Sequence, residues 1–224
     1  ILGIEAYVAP LCRTRRQKEV EGRIGGHHLV LLAENETGWR NLLRLSSDAY
    51  LKGFYHRPRM DKSTLEQWSE GLIAINGHLG SSLAWHLVKL EETGDDRHWD
   101  AALEEARSHA KIFKPNANGE PTFFVELQVH EVQMQLAINP HLKRLAAELN
   151  LPLVCDNDAH FLRAEDHDAH DTLCCISMGR NKDDDSRFKY PADLYVKSPE
   201  QMAALFADCP ESVSNAASIG QRCN

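Results

Sequence analysis

Short apolar runs alternate with amphipathic segments along most of the chain. Five apolar runs end in polar or turn-forming residues, which is typical of buried strands: 1–9, 27–33, 71–78, 122–128 and 151–155. Apolar residues at helical spacing predict helices over these approximate ranges: 37–51, 80–90, 95–113, 140–149 and 163–178. A short helix is predicted from Asp61 or Ser63, a short strand over 194–196, and two closing helices after the Ser198 cap and Pro199.

The alternation of strands and helices predicts an α/β fold, either a parallel sheet or a barrel with helices outside. No internal repeat or linker is visible, so we expect one domain over residues 1–224. The sequence opens directly on a strand, and five strands are fewer than a closed barrel needs. We therefore expect leading strands to be absent and one sheet edge to be unpaired, which predicts poor stability or self-association.

The segment over 11–26 is polar and basic and ends in Gly25 and Gly26, so we predict a mobile loop. It is the one local basic patch of the sequence. It could contact a phosphate backbone, although such runs are more often solvated loops.

Composition limits the functional classes. The 224 residues are 42% apolar and 26% charged, as in ordinary soluble proteins, and the net charge is −8. The whole surface is therefore not a polyanion binder, and contact with nucleic acid needs a local patch or metal. There is no apolar run of membrane-spanning length, so no membrane association is expected. The six cysteines form no C-x-x-C pair, which predicts buried free thiols in a reducing compartment.

Acids and histidines recur at the ends of the predicted strands. Glu5 lies within the first strand, His28 opens the second, His78 ends the third, and Asp158 and His160 follow the fifth. These five residues could meet at one rim of a barrel. Carboxylate and imidazole ligands without thiolate suit Zn²⁺, Mn²⁺ or Fe in a hydrolase. Two such ions about 3.5–4 Å apart would clamp a phosphoryl oxygen.

Each of these residues also has an ordinary structural interpretation. Glu5 could face solvent on an edge strand, and Asp158 and His160 could belong to an Asx turn with a surface histidine. The remaining histidines are assigned structural roles: His27, His56, His86, His98, His109, His130, His141, His167 and His170.

The chain resembles the PHP (polymerase and histidinol phosphatase) domain of bacterial DNA polymerase III alpha subunits. The resemblance runs in order over nearly the whole chain, in these segments: Gly3–Val8, His28–Asn35, Gly38–Leu42, Glu70–Ala74, Asn157–Phe161 and Tyr195–Glu200. It implies a distorted (β/α)₇ TIM-like barrel, here truncated at its N-terminus, with metal ions at the rim. The family's ligand positions fall on Glu5, His28, His78, Asp158 and His160, and many members carry cysteine at the His78 position.

The resemblance also implies an activity and partners. In the intact protein these are metal-dependent 3′→5′ exonuclease proofreading within a DNA-directed DNA polymerase, with up to three Zn²⁺ or Mn²⁺ ions and no catalytic residue beyond the ligands. The implied partners are DNA, the remainder of the alpha subunit and a proofreading exonuclease subunit, in the bacterial cytoplasm.

Departures from the family leave alternatives open. The family's opening His-x-His strand, a following aspartate and a further histidine are not in this chain, so about four of nine expected ligands are missing. Residues 128–131 depart from the family's Asp-His-Gly run, and no palm carboxylates are present, so this chain alone is not expected to polymerise or hydrolyse DNA. The alternatives are a metal-free scaffold that docks another replication subunit and a free-standing phosphoesterase acting on small phosphate monoesters.

Overall fold

The structure is a computed structural model that describes residues 1–16, 19–20 and 23–223. Its strands are β1 (Leu2–Val8), β2 (Glu19–Val20), β3 (Arg23–Ile24), β4 (His27–Ala33), β5 (Arg59–Met60), β6 (Leu72–Asn76), β7 (Phe123–Gln128) and β8 (Leu153–Asp156). Its α-helices are α1 (Glu36–Leu51), α2 (Lys62–Trp68), α3 (Ser82–Thr93), α4 (Arg97–Ile112), α5 (Gln133–Leu149), α6 (His167–Met178), α7 (Pro199–Leu205) and α8 (Pro210–Arg222). A 3₁₀ turn at Ala164–Asp166 precedes α6.

Six strands form one mixed sheet in the order β5-β1-β4-β6-β7-β8. The neighbours β6, β7 and β8 are parallel, and β5 is parallel to β1. The pairs β1–β4 and β4–β6 are antiparallel, so the predicted all-parallel sheet is wrong for its first strands. No helix lies among the described residues between β1 and β4, whereas the crossover that joins parallel neighbours usually contains one.

The sheet buries its two faces unequally. In β4 the odd-numbered residues from His27 to Ala33 are buried, whereas His28, Val30 and Leu32 are half-buried. Leu29 and Leu31 belong to the large core shared with the helices. A smaller apolar cluster forms on the other side, where α8 covers part of the sheet: Ile73, Phe124, Val154 and Ile219. The half-buried face of β4 is therefore the one that can carry polar groups.

Most predicted elements are present, but the start of α5 was predicted wrongly. The predicted helix began at Pro140, whereas α5 begins at Gln133 and carries Pro140 inside it. Proline suits a first helical turn but also removes one N–H donor wherever it lies. The preceding turns are held by tertiary contacts, because Ile138 and Asn139 are buried and the Asn139 amide donates to the Gln128 carbonyl at 2.8 Å.

Two shorter predictions also need correction. The edge strand β5 was not predicted, and the strand predicted over 194–196 is only an isolated bridge between Phe161 and Tyr195. All six cysteines are free as expected, but Cys12 is exposed and only three are fully buried.

The start of the predicted mobile loop is anchored to the body. The Arg13 guanidinium lies 2.6 Å from the Asp48 carboxylate and 3.1 Å from that of Asp61. The Arg59 side chain donates to the backbone carbonyls of Arg13 and Arg15. Residues 17–18 and 21–22 of this loop lie outside the described residues, so its mobility stays a prediction. Across the part of the chain that the structure describes, no helix combines the length and the apolar character needed to span a membrane.

Candidate metal centre

The register of β1 against β4 places Glu5 and His28 on the same face of the sheet. Tyr7 pairs with His28 and Glu5 pairs with Val30, so Glu5 and His28 are diagonal neighbours. Their side chains touch, with 2.7 Å between Glu5 Oε1 and His28 Nδ1. A His28 that donates Nδ1–H to this carboxylate keeps Nε2 available as an acceptor.

His78 reaches the same carboxylate from the turn after β6. The His28 backbone N–H donates to the Gly80 carbonyl at 2.8 Å, which joins this turn to the first residues of β4. His78 Nε2 then lies 3.5 Å from Glu5 Oε1. One ligand atom from each of Glu5, His28 and His78 lies within 4.8 Å of the others.

Gly80 lets the two imidazoles approach each other. A Cβ at this position would lie 2.6 Å from His78 Cε1 and 2.7 Å from His28 Nδ1, and both distances are shorter than ordinary non-bonded contacts of a Cβ atom. The Gly80 N–H also donates to His78 Nδ1 at 3.1 Å. This bond requires the ring proton to be on Nε2, so metal binding at Nε2 would move that proton to Nδ1 and break the bond.

Asp158 and His160 line the same cleft, which has a volume of about 490 Å³. Asp158 has a left-handed backbone with φ of 47°, and its N–H donates to Asp156 Oδ1 at 2.7 Å. This is the Asx turn considered as the alternative interpretation, and it coexists with a side chain in the cleft. His160 Nδ1 lies 2.6 Å from the Asp158 carbonyl, so a donating Nδ1–H leaves His160 Nε2 as an acceptor. All five predicted residues therefore line one cleft.

Local electrostatics favour the forms of Glu5 and His78 that bind cations. The hydrogen bond with His28 lowers the pKa of Glu5, which keeps this group a carboxylate. Burial lowers the pKa of His78 despite the opposing effect of Glu5, so the imidazole is neutral near pH 7. Burial raises the pKa of Asp158, although the neighbouring His160 opposes this. An added cation would favour the ionised form of Asp158.

The donor set fits a divalent metal ion. His78 Nε2 is buried and has no hydrogen-bond partner among the residues described. Burying such a nitrogen without a partner is costly, and a metal ion that replaced the Nε2 proton would supply one. No cysteine is among the described residues that line the cleft, and a set of carboxylates and imidazoles matches the preferences of Zn²⁺ and Mn²⁺.

A buried polar network that was not predicted from the sequence lies behind the site. The Gln128 amide donates to Glu126 Oε1 at 2.7 Å and to Asp156 Oδ1 at 3.0 Å. His130 Nε2 lies 2.9 Å from Gln128 Oε1, so His130 has a structural partner as predicted, yet it also lines the cleft. Burial, with Asp156 nearby, raises the pKa of Glu126 well above its ordinary range. The signal that singled out Glu5, an acid within an apolar strand, applied equally to Glu126.

A family model for the PHP domain matches residues 1–130 of the chain. The chain belongs to the PHP domain family. The predicted family is thus confirmed, and the match includes Glu5, His28 and His78.

Relatives of this PHP domain are named DNA polymerase III subunit alpha. The proteins from Treponema pallidum, Borreliella burgdorferi and Thermus aquaticus are 41%, 37% and 38% identical to it, and each match covers 100% of the chain. The chain spans only 18% of the length of each of these relatives.

Proposed function

We propose that this PHP domain is part of a bacterial replicative DNA polymerase and hydrolyses phosphodiester bonds at DNA 3′ ends with divalent metal ions. The observation that carries the proposal is the meeting of Glu5, His28 and His78 in a cleft that Asp158 and His160 also line. The similarity to proteins named DNA polymerase III subunit alpha supports the replicative context.

The proposal extends to architecture and partners. Residues 1–224 would be a single PHP domain whose mixed sheet is part of a distorted (β/α)₇ barrel. The parallel strands β6, β7 and β8, each followed by at least one helix, support this arrangement. DNA, the rest of the alpha subunit and a proofreading exonuclease subunit would be its partners in the bacterial cytoplasm.

In the proposed mechanism, Glu5, His28, His78, Asp158 and His160 would supply ligands to up to three Zn²⁺ or Mn²⁺ ions in the intact domain. Such ions, when bound, polarise a phosphoryl oxygen, activate water and offset the charge on the leaving oxygen. The protein's own contribution is to orient the ligands. Glu5 fixes the His28 ring through Nδ1, and the Asp158 carbonyl fixes the His160 ring in the same way.

The acidic ligands also set a requirement for substrate binding. The carboxylates of Glu5 and Asp158 repel phosphate, and only cations in the cleft reverse the sign of the local charge. Phosphodiester binding at this site should therefore depend on metal.

Metal content tests the proposal directly. After dialysis against Mn²⁺ or Zn²⁺, we expect elemental analysis to find metal bound to the wild-type chain. His78→Ala and Asp158→Ala should each lower the affinity for this metal by tenfold or more. His141→Ala is the matched control, because His141 pairs with Glu91 at 2.5 Å outside this cleft.

Activity is then measured as release of nucleotide from a 3′-labelled DNA strand by the full-length polypeptide that carries these residues. The variants that lose metal should lose this activity together with it. Absence of bound metal in the wild-type full-length polypeptide would contradict the proposal and favour a scaffold. Metal-dependent hydrolysis of small monoesters but not of DNA would favour the phosphoesterase alternative.

A further inference from the structure

Two aromatic side chains extend the cleft beyond the five candidate ligands. The Tyr190 ring lies 4.4 Å from the His160 ring, centre to centre, and Phe188 packs edge-on to Tyr190 at 4.8 Å. Both residues line the same cleft as Glu5 and His28. Phe188 is nevertheless 61% exposed, so much of its apolar surface faces water at the mouth of a polar site.

The segment that carries these rings is fixed to α6 on both sides of Phe188. Arg187 donates two hydrogen bonds to the Asp171 carboxylate, each 2.6 Å long, and both side chains are nearly buried. Two residues beyond Phe188, the Tyr190 carbonyl accepts a hydrogen bond from His167 Nε2 at 3.0 Å. A bidentate, buried arginine–carboxylate pair is geometrically specific. Phe188 is therefore held in place while its ring stays accessible, an arrangement that lowers the entropy cost of binding.

The two aromatic rings and the candidate metal ligands beside them together complement a nucleotide. A planar apolar ring beside a cluster of cation-binding groups complements a molecule with a flat base and a phosphate. Stacking of bases on aromatic side chains tolerates any base, which suits a site that must accept every DNA end. A small phosphate monoester without a ring would leave the aromatic surface unused.

We propose that Phe188, supported by Tyr190, stacks the terminal base of a single-stranded DNA 3′ end while the adjoining phosphate faces the Glu5–His28–His78 cluster. The position of the phosphate rests on the proposed function, whereas the stacking of the base does not. Phe188 would then be a specificity-determining residue that selects unpaired ends, since a paired terminal base is already stacked in its duplex.

The test uses the chain of residues 1–224, Mn²⁺ and a short thymidine oligonucleotide whose 3′-terminal base is the fluorescent analogue 2-aminopurine. Its last linkage is a phosphorothioate that slows hydrolysis. Stacking quenches this fluorophore, and we expect stronger quenching for the 3′-terminal probe than for the same probe at the 5′ end. Phe188→Ala should weaken binding about tenfold and remove the extra quenching. Phe188→Trp should retain both because it keeps an aromatic face.

Phe54→Ala is the matched control. Phe54 is also an exposed phenylalanine packed on a tyrosine, Tyr50, but it does not line this cleft. Equal binding by wild type and Phe188→Ala, equal quenching at both ends, or an equal loss in Phe54→Ala would each overturn the inference. Failure of the wild type to bind the oligonucleotide would overturn it as well.

Metal analysis of the same samples separates this inference from the proposed function. Bound metal with no effect of Phe188→Ala on DNA binding refutes the stacking site alone. Quenching that depends on Phe188 in protein that binds no metal supports the stacking site and counts against metal-dependent hydrolysis.

Discussion

Gly80 occupies a position where any side chain would displace one of two histidines. The space that its Cβ would need is filled by His78 Cε1 and by His28 Nδ1. Glycine is required here because the His78 side chain on the turn after β6 and the His28 side chain on β4 face each other beside it. Gly80 thus supports the proposed centre without contributing a ligand atom.

We predict that Gly80→Ala lowers the affinity for Mn²⁺ or Zn²⁺ by tenfold or more, because the added methyl group separates His28 from His78. Equilibrium dialysis of the purified chain measures the effect. Gly220→Ala is the control, since among the described residues the nearest atom to its Cβ outside its own helix would be Ile1 Cδ1, at 3.9 Å. Equal metal affinity in Gly80→Ala and wild type would show that the two imidazoles do not need this spacing.

At the residue level, the position of a residue in a strand identified candidate site residues better than its residue type did. Glu5 was selected as an acid within an apolar strand, and His28 and His78 because they lie at strand ends. The imidazoles of the two histidines now lie beside the Glu5 carboxylate. The contacts of Gln128 with Glu126 and Asp156 depend on the pairing of β7 with β8, which sequence spacing does not specify. Phe188 was missed because it lies outside any periodic segment.

At the scale of elements, capping residues located helix starts well. Asn35 caps α1, and Asp61 forms a capping box with Thr64 at α2, as their residue types indicated. The start of α5 was predicted wrongly at Pro140, because a proline at a helix start and a proline inside a packed helix look alike in sequence. The difference lies in the burial of the turns before it.

The contribution of Asp61 to the stability of α2 depends on pH. Burial alone would raise its pKa, but the backbone N–H groups of Arg13 and Thr64 and the side chains of Ser63 and Arg13 lower the pKa to about 2. Because the folded-state pKa lies below the unfolded value, the stabilisation is complete above about pH 4. It is lost as the pH falls through about 2.

We predict that Asp61→Ala lowers the free energy of unfolding by about 1–2 kcal/mol at neutral pH and makes stability less dependent on pH between about 4 and 2. Urea unfolding followed by circular dichroism across this range measures both effects. Asp96→Ala is the control, because Asp96 precedes α4 without a side-chain capping bond. If the free energy of unfolding of Asp61→Ala varied with pH as it does in the wild type, another group would control the acid sensitivity.

At the scale of the whole molecule, an ion pair joins residues far apart in sequence. The Arg222 side chain lies 2.7 Å from Glu34 Oε1, across 188 positions of sequence, and donates to the Pro121 carbonyl. Both charged side chains are about nine-tenths buried. The pair fixes the end of α8 beside the end of β4.

We predict that Arg222→Ala lowers the free energy of unfolding by about 3 kcal/mol, because the Glu34 carboxylate then stays buried without its cation. Arg40→Ala, which breaks the exposed pair with Glu36 on α1, should cost less than about 0.5 kcal/mol. Denaturant unfolding of the two variants side by side measures the difference. Equal losses would mean that burial does not strengthen the Arg222 pair.

The overall class of fold was predictable, whereas the order and direction of the strands were not. Apolar runs and helical periodicity report burial within each segment. The antiparallel pairing of β4 with both β1 and β6 is decided between segments. No periodicity within β4 distinguishes that arrangement from a parallel one.

The long span of the Arg222–Glu34 pair also has a consequence for biosynthesis. At translation rates of about 5–20 residues per second, Glu34 is made roughly ten to forty seconds before Arg222. Within that interval the apolar surface formed by Ile73, Phe124 and Val154 is complete once Val154 is made, roughly 3–13 seconds before Ile219, which covers it in the folded domain. The nascent chain must therefore pass through a stage with an uncovered apolar surface, which is where chaperones bind and where aggregation begins.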